Sequence, residues 1–179
     1  NGQLEMGMID SDKMYDIVMK WDWGNSDGDI YHDIETRRNS ITYRLNLSRL
    51  MQQLIAEGKT EKAKEVIDLV LTKLPLDKYG FYTLLEPFVA GYYDVGETKK
   101  AQELMTRLAE KYNDNLNYYV SQKASEQNDN IYEVVKNLER YRSLIQVIKS
   151  KKDTAFYEKN RKTFNSYNKR FERFGRDNE

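Results

Sequence analysis

The fold is decided by two hexapeptides of nearly the same sequence, GKTEKA at residues 58–63 and GETKKA at residues 96–101. Their first residues lie 38 positions apart, 96 minus 58, and the apolar residues that flank them match at the same offset. A repeat at a fixed period of this length indicates that one supersecondary unit occurs more than once. The sequence therefore predicts two copies of one structural unit in the middle of the chain.

Each copy predicts a helix, a tight turn and a second helix. The glycine that begins the hexapeptide can adopt the left-handed conformation that ends the first helix. The threonine at its third position can cap the second helix, and its final alanine is small enough for the two helices to cross closely. These residues are Gly58, Thr60 and Ala63 in the first copy and Gly96, Thr98 and Ala101 in the second.

The pattern resembles the tetratricopeptide repeat, a helical hairpin that stacks into a solenoid. The resemblance is partial, because Met51 and Val89 stand where that family has small residues, Asn113 replaces its proline, and the offset exceeds the usual length of about 34. The matching residues are Leu47, Leu50, Leu54, Gly58, Ala63 and Pro75 in the first copy and Tyr92, Gly96 and Ala101 in the second.

We therefore predict an all-α chain, a tetratricopeptide-like helical-hairpin solenoid of about seven or eight helices that forms a single domain over residues 1–179. Within it we expect an N-terminal helix and acidic loop over residues 1–35, two to three helical hairpins over residues 36–151, and a basic capping helix over residues 152–179.

The boundaries of individual helices follow from local patterns. We expect the first helix to run from about Asp12 to Trp21, with Ser11 before it as a capping residue. A fainter third hairpin is predicted over residues 116–127 and 131–151. Pro87 must lie in the first turn of its helix, because an interior proline costs about 3 kcal/mol.

The last segment carries an aromatic seam at alternating steps of four and three residues. Such a narrow seam favours a helix that covers the end of a solenoid, since terminal repeats need a cap. A coiled-coil dimer would need three or more sustained heptads. The seam consists of Phe156, Asn160, Phe164, Tyr167, Phe171 and Phe174.

Composition narrows the function classes. Lys and Arg number 29 and Asp and Glu number 29, so nothing supports a general nucleic-acid binder. The chain has no cysteine and a single histidine, His32. Disulfides, thiolate nucleophiles and cysteine-ligated zinc are thereby excluded, and a histidine-based triad or metal site is hard to build. We expect no catalytic residue, no metal and no cofactor in this segment.

The loop around residues 23–35 is the strongest candidate for chemistry. Asn25, Asp27, Gly28 and Asp29 mimic the middle of an EF-hand, but Trp23 and Ile34 then stand at two obligatory oxygen-ligand positions, which favours an ordinary acidic turn. His32 beside Asp33 and Glu35 could form an acid/base pair. Nothing else completes such a site, and a surface or loop-packing histidine is the favoured interpretation.

Transfer of the tetratricopeptide spacing predicts a partner groove along the first helix of each hairpin. Tyr and mixed charges suit recognition of a peptide tail or a glycan, although packing between helices explains the tyrosines equally well. The predicted groove residues are Ser48, Gln52, Glu86, Tyr93, Asp94, Tyr119, Lys123 and Glu126.

Charge is distributed unevenly along the chain. Residues 1–35 carry nine acids and two lysines, whereas residues 149–176 carry ten Lys or Arg and three acids. The basic last helix is open to three interpretations, namely an intramolecular match to the acidic N-terminal region, contact with anionic lipid headgroups, and a solvated face. Lipid contact would be made through Lys159, Lys162, Lys169 and Arg173.

A narrower resemblance covers about two thirds of the chain. The region is similar to the C-terminal soluble part of a family of largely uncharacterised bacterial multi-pass membrane proteins, which resemble protein O-mannosyltransferases in their membrane part. The motifs that carry this resemblance are Lys13-Met14-Tyr15, Trp23-Gly24-Asn25, Tyr31-His32-Asp33, Arg38, Arg44, residues 58–63, Pro75 and Tyr92-Tyr93 before Gly96.

The resemblance implies that any transferase chemistry belongs to a membrane portion outside this sequence. The chain, which begins with Asn1 and contains no apolar run long enough to cross a bilayer, is then an excised appendage that faces the periplasm. We expect a non-catalytic interaction module that binds an acceptor polypeptide or a neighbouring subunit. The alternative is a structural appendage that packs on its own membrane domain and on anionic lipid.

Overall fold

The computed structural model describes residues 9–172. Within that range the chain is helical and contains no strand, which confirms the all-α prediction. The helices are α1 (Ser11–Val18), α2 (Ile34–Ala56), α3 (Thr60–Lys73), α4 (Leu76–Tyr79), α5 (Glu86–Asp94), α6 (Thr98–Ser121), α7 (Ala124–Asp129), α8 (Ile131–Ser150) and α9 (Thr154–Arg170), with a 3-10 helix at Tyr82–Leu85.

The chain divides into two compact units, with the boundary between Glu97 and Thr98. In the first unit, α2 and α3 form a helical hairpin on which α5 packs. Their facing residues are fully buried, and Ala63 is fully buried as well. The core of this hairpin is formed by Leu47, Leu50, Leu54, Val66, Ile67 and Val70.

The two predicted turns share one geometry. Gly58 and Gly96 have φ of 74° and 83°, which confirms their left-handed conformation. After each glycine a backbone N–H donates back to the preceding helix, from Lys59 to the Leu54 carbonyl and from Glu97 to the Tyr92 carbonyl, both at 2.8 Å. Such bonds satisfy carbonyls that the helix end would otherwise leave unpaired.

Two predicted helix caps are wrong. Lys59 precedes α3 at the position predicted for Thr60, and no side chain caps that helix. Asp10 caps α1 by accepting from the Lys13 N–H at 3.1 Å, while the Ser11 hydroxyl donates instead to the Glu57 carboxylate. Pro87 lies in the first turn of α5, as predicted.

A glycine that the sequence pattern did not single out sets the packing of α5. Gly91 is buried, and a Cβ at this position would overlap the Sδ of Met51 and lie 3.1 Å from Cδ1 of Ile67. The absence of a side chain therefore lets α5 approach both helices of the first hairpin.

In the second unit, α6, α8 and α9 pack together around aromatic residues. The rings of Tyr112 and Tyr141 stack at 5.6 Å, and Phe164 of α9 meets Tyr141 edge-on at the same distance. Tyr167 and Phe171 are also buried, so the aromatic seam of the last helix packs into this unit. The seam residue Phe174 lies outside the described residues.

The predicted break before residue 116 does not exist. α6 continues without interruption from Thr98 to Ser121, and the next helix, α7, begins only at Ala124. In the tetratricopeptide pattern a proline follows the second helix and removes a helical hydrogen bond. Asn113 stands at that position here and retains its backbone N–H, so the helix continues. The helices of the second predicted hairpin, α5 and α6, belong to different units.

Candidate functional site

Three aromatic side chains form a cluster on the first unit. The ring centroids of Trp21, Trp23 and Tyr43 lie 5.5 to 5.8 Å from one another, in tilted and edge-to-face arrangements. Trp21 is 39% exposed and Tyr43 is 42% exposed, so the cluster presents ring surface to solvent. Edge-to-face pairs at this separation stabilise one another beyond their buried area.

A cavity of about 410 Å³ adjoins the cluster, and we call it the aromatic pocket. Its volume lies in the range of small-molecule sites. Among the described residues that line it, Asp22 alone is charged, and the others are aromatic, hydroxyl-bearing, amide-bearing or aliphatic. The uncharged lining residues are Trp21, Trp23, Ser26, Thr36, Asn39, Ser40, Tyr43, Leu74 and Tyr79.

The loop that forms one wall of the pocket is tied to the α3–α4 corner. The Ser26 carbonyl accepts from the Tyr79 hydroxyl at 3.0 Å and lies 3.2 Å from Nε2 of His32. The imidazole of His32 stacks on the Tyr79 ring at 4.7 Å. The loop is therefore held by the hydrogen bond from Tyr79 and by the stacking of its own His32 on the Tyr79 ring.

Two lysines hold the same loop from α3 and α4. Lys73 pairs with the Asp27 carboxylate at 2.9 Å, and Lys78 donates to the backbone carbonyls of Asp27 and Gly28. The hydrogen bond from Lys73 lowers the pKa of Asp27. Asp27, which the EF-hand pattern counted as an oxygen ligand, is thus engaged in an ion pair.

Arg44 supports the pocket from inside the unit. Its side chain is fully buried and donates to the carbonyls of Leu74 at 2.8 Å, Gly80 at 2.6 Å and Phe81 at 3.3 Å. Burial lowers its pKa to about 10. Because Leu74 and Gly80 follow α3 and α4, this guanidinium satisfies carbonyls at two helix ends.

Two polar atoms near the pocket have no partner. The Nε1 of Trp23 and the Oγ of Ser26 are buried without a hydrogen bond. A buried polar group left unpaired costs about 1 to 3 kcal/mol. Asn39 on α2 is exposed at the pocket wall and presents an amide that can both donate and accept.

A second concavity, the α1 groove, shares Trp21 with the aromatic pocket. It has a volume of about 340 Å³. Its apolar lining residues are Ile9, Met14, Ile17, Val18 and Trp21, and its charged lining residues are Asp10 and Lys13. Most exposed large apolar side chains of the described chain fall within residues 17–45, namely Ile17, Met19, Trp21, Ile30, Tyr31, Ile34, Tyr43 and Leu45.

Helix α1 is attached to the first hairpin mainly by charged side chains. Asp12 pairs with Lys59 at 2.6 Å and with Lys62 at 2.7 Å, and Lys59 also pairs with Glu57 at 2.7 Å. The hydrogen bonds from these lysines lower the pKa of Asp12 to about 2, and Lys59 with Ser11 lowers that of Glu57 to about 2. The position of the α1 groove thus depends on ion pairs.

The predicted groove residues are distributed over both units. In the first unit, Ser48 is buried among the α2 core residues at 7% exposure, Gln52 and Asp94 are exposed, and Glu86 and Tyr93 are half-buried. In the second unit, Tyr119 lies half-buried in the last turn of α6, and burial raises its pKa. Lys123 and Glu126 come together at the start of α7, where the Lys123 N–H donates to the Glu126 carboxylate at 3.1 Å.

The acids beside His32 act elsewhere. Asp33 caps α2 by accepting from the Thr36 N–H at 2.7 Å, and Glu35 pairs with Arg38 at 2.7 Å. His32 is 8% exposed and packs in the loop, in agreement with the favoured interpretation of the sequence. Within residues 9–172, no three or more His, Cys, Asp or Glu side chains are grouped so that they could hold a metal ion.

The aromatic pocket was missed by sequence reasoning. One signal was available, because both tryptophans of the chain lie within residues 21–23, beside a segment rich in turn residues. Exposed tryptophan in a loop is a common mark of a binding surface. Tyr43 and Asn39 could not be assigned to the same place, since they lie on a helix with no periodic sign of the contact.

Helix α9 presents the predicted basic residues Lys159, Lys162 and Lys169 as exposed side chains, while Arg173 lies outside the described residues. Among the helices of residues 9–172, none combines the length and apolarity that a bilayer crossing requires.

In the comparisons with known proteins, no family model, no curated protein and no solved structure matched this chain.

Proposed function

We propose that this chain is a non-catalytic interaction module that binds a segment of another polypeptide through the α1 groove. The proposal includes the stacking of its hairpins as a tetratricopeptide-like solenoid. It also places the module as the periplasmic appendage of a glycosyltransferase-like inner-membrane protein. The shared turn geometry at Gly58 and Gly96 and the tight α2–α3 hairpin support the repeat interpretation.

The observation that carries the proposal is the apolar groove with a polar rim. Met14, Ile17 and Trp21 supply the apolar surface, and Asp10 and Lys13 supply charges of both signs at its edge. An apolar centre surrounded by polar groups is the usual anatomy of a protein–protein contact. The Asp10 carboxylate at the rim disfavours an anionic lipid surface, whereas a peptide can satisfy both charges.

A peptide selection on the complete chain tests this proposal. The tightest peptide from a displayed random library is labelled and titrated by fluorescence anisotropy. Burial of one isoleucine contributes about 1.5 to 3 kcal/mol, so Ile17→Ser should weaken binding by about tenfold or more. Met14→Ser should weaken it in the same direction.

The matched control is Tyr118→Ser, which removes an exposed apolar side chain of the second unit. We expect it to leave the affinity unchanged, with helix content by circular dichroism equal in all variants. Peptides that bind the Ile17→Ser variant as tightly as the unchanged chain would contradict the proposal. So would the absence of any selected peptide.

The membrane part of the proposal has its own test. The coding sequence that precedes Asn1 should specify a series of apolar spans, each of about 20 residues. A start codon immediately before Asn1 would remove the appendage interpretation and would leave the peptide-binding test unaffected.

A second candidate function rests on α9. Its exposed lysines favour a structural appendage that packs on its own membrane domain and anionic headgroups, at about 1 kcal/mol for each basic residue near the surface. Flotation with phosphatidylglycerol vesicles tests it. If this function is correct, a variant with Lys159, Lys162 and Lys169 changed to Glu loses vesicle binding and retains peptide binding.

A further inference from the structure

We propose that the aromatic pocket is a binding site for a neutral saccharide unit. This inference is independent of the peptide-binding proposal, because the two cavities share only Trp21 among their described lining residues. The proposal follows from the shape of the pocket, its aromatic surface and its inventory of hydrogen-bonding groups.

The aromatic surface suits a ring with an apolar face. Trp21 and Tyr43 are both partly exposed at the pocket and lie 5.8 Å apart, with an angle of 75° between their planes. The face of an aromatic ring is negative, and the axial C–H groups on one face of a pyranose are weakly positive. A sugar ring can therefore rest on one of these side chains while its edge contacts the other.

The polar lining favours a ligand that both donates and accepts. The amide of Asn39 is exposed at the wall, whereas the unpaired Ser26 Oγ and Trp23 Nε1 are themselves buried. A hydroxyl can donate to one group and accept from another, so a polyhydroxylated ligand can pair with the exposed amide and with a neighbouring acceptor at once. The Asp22 carboxylate is a further acceptor for hydroxyl groups.

The same inventory disfavours the competing ligand classes. No lysine or arginine is among the described lining residues, so an anionic ligand would find no counter-charge. The three rings contact one another at centroid distances of 5.5 to 5.8 Å, so they do not form a cage of separated ring faces of the kind that encloses a quaternary ammonium group. A proline-rich peptide offers mainly carbonyl acceptors and would leave the acceptors of the pocket unpaired.

Intrinsic fluorescence reports on this site, although Trp21 also borders the α1 groove. The chain has two tryptophans, Trp21 and Trp23, and both line the pocket. The complete chain is titrated with methyl glycosides of neutral hexoses and with the corresponding disaccharides. We expect a saturable change in tryptophan emission with at least one of them, and a matching heat in calorimetry.

Three variants locate the binding. Tyr43→Ala removes a stacking surface and should weaken saccharide binding by about tenfold, whereas Tyr43→Phe should retain it. Asn39→Leu should weaken it by at least the same factor, since hydroxyl groups of the ligand then lose their partner. Both positions are exposed on α2, so the fold is preserved. Tyr118→Ala on the second unit is the control and should bind normally.

Several outcomes would overturn the inference. One is the absence of emission change and heat with every neutral saccharide. Another is unaltered binding by the Tyr43→Ala and Asn39→Leu variants. A third is saturable binding of tetramethylammonium or a proline-rich peptide at concentrations where neutral saccharides fail. Because Ile17→Ser leaves the pocket intact, loss of peptide binding in that variant with retained saccharide binding separates this site from the α1 groove.

Discussion

At the scale of single residues, Gly91 is a sterically constrained position in the first unit. A methyl group there would overlap Met51 and crowd Ile67, and both of these side chains are themselves buried. We predict that Gly91→Ala lowers the free energy of unfolding by about 1 to 3 kcal/mol, the usual cost of overpacking. Urea denaturation followed by circular dichroism measures the change.

The control for this prediction is a double-mutant cycle with Met51→Ala. If the overlap with Met51 is the cause, Gly91→Ala should cost clearly less in the Met51→Ala background than in the unchanged chain. An equal cost in both backgrounds would show that the close approach of α5 to α2 is not what the glycine permits.

Arg44 gives a second prediction at this scale. Arg44→Met retains much of the apolar stem but leaves the carbonyls of Leu74 and Gly80 without their donor. We expect a loss of about 3 kcal/mol in the free energy of unfolding, because buried acceptors become unpaired. Arg44→Lys should lose nearly as much, since one ammonium cannot span both helix ends. A loss below 1 kcal/mol in either variant contradicts the assigned role.

At the scale of elements, the attachment of α1 should depend on pH. The pKa values of Asp12 and Glu57 are lowered to about 2 in the folded chain, from 3.8 and 4.5. A lowered pKa contributes stability above the unfolded value, and that contribution is lost as the pH falls towards 2. Tryptophan fluorescence between pH 6 and pH 2 should show α1 loosening below about pH 4.

The variant Asp12→Asn with Glu57→Gln tests the source of this dependence. It should be less stable at pH 6 and should lose less stability than the unchanged chain on acidification. Identical pH profiles for both proteins would mean that other carboxylates hold α1.

The continuity of α6 yields a further prediction. Asn113→Pro restores the residue that ends the helix in a tetratricopeptide unit. Here it should remove a helical hydrogen bond and lower the free energy of unfolding by about 3 kcal/mol or more. Asn113→Ala, which removes the hydrogen bond to Tyr141 but keeps the helix, should cost less. Equal stability of the proline variant would show that α6 ends near residue 113.

These elements also show what the sequence could and could not predict. The left-handed glycines were predictable, because only local stereochemistry decides them. The Thr60 cap was inferred from the general preference of threonine for helix starts, and α3 begins one residue earlier than that preference implies, after Lys59. The end of α6 was not predictable either, because the family pattern has a proline where this chain has Asn113. The aromatic pocket could not be predicted because Trp21 and Tyr43 are brought together by tertiary packing alone.

At the scale of the whole molecule, the sequence repeat and the compact units do not coincide. The second hexapeptide joins α5 and α6, yet α5 packs on α2 and α3, whereas α6 packs on α8 and α9. The sequence repeat reflects a shared turn geometry, whereas the unit to which a helix belongs depends on all the helices that it packs against. For this reason the groove predicted from the repeat spacing is spread over both units, and the candidate site lies within one.

The central claim is that binding occurs on the first unit around Trp21. Amide chemical-shift mapping of the complete chain with the tightest selected peptide tests it most directly. We predict that the largest changes fall within residues 9–22, which form and flank the α1 groove. Changes centred instead on Gln52, Asp94 and Tyr119, with residues 9–22 unaffected, would contradict the account and favour the groove predicted from the repeat.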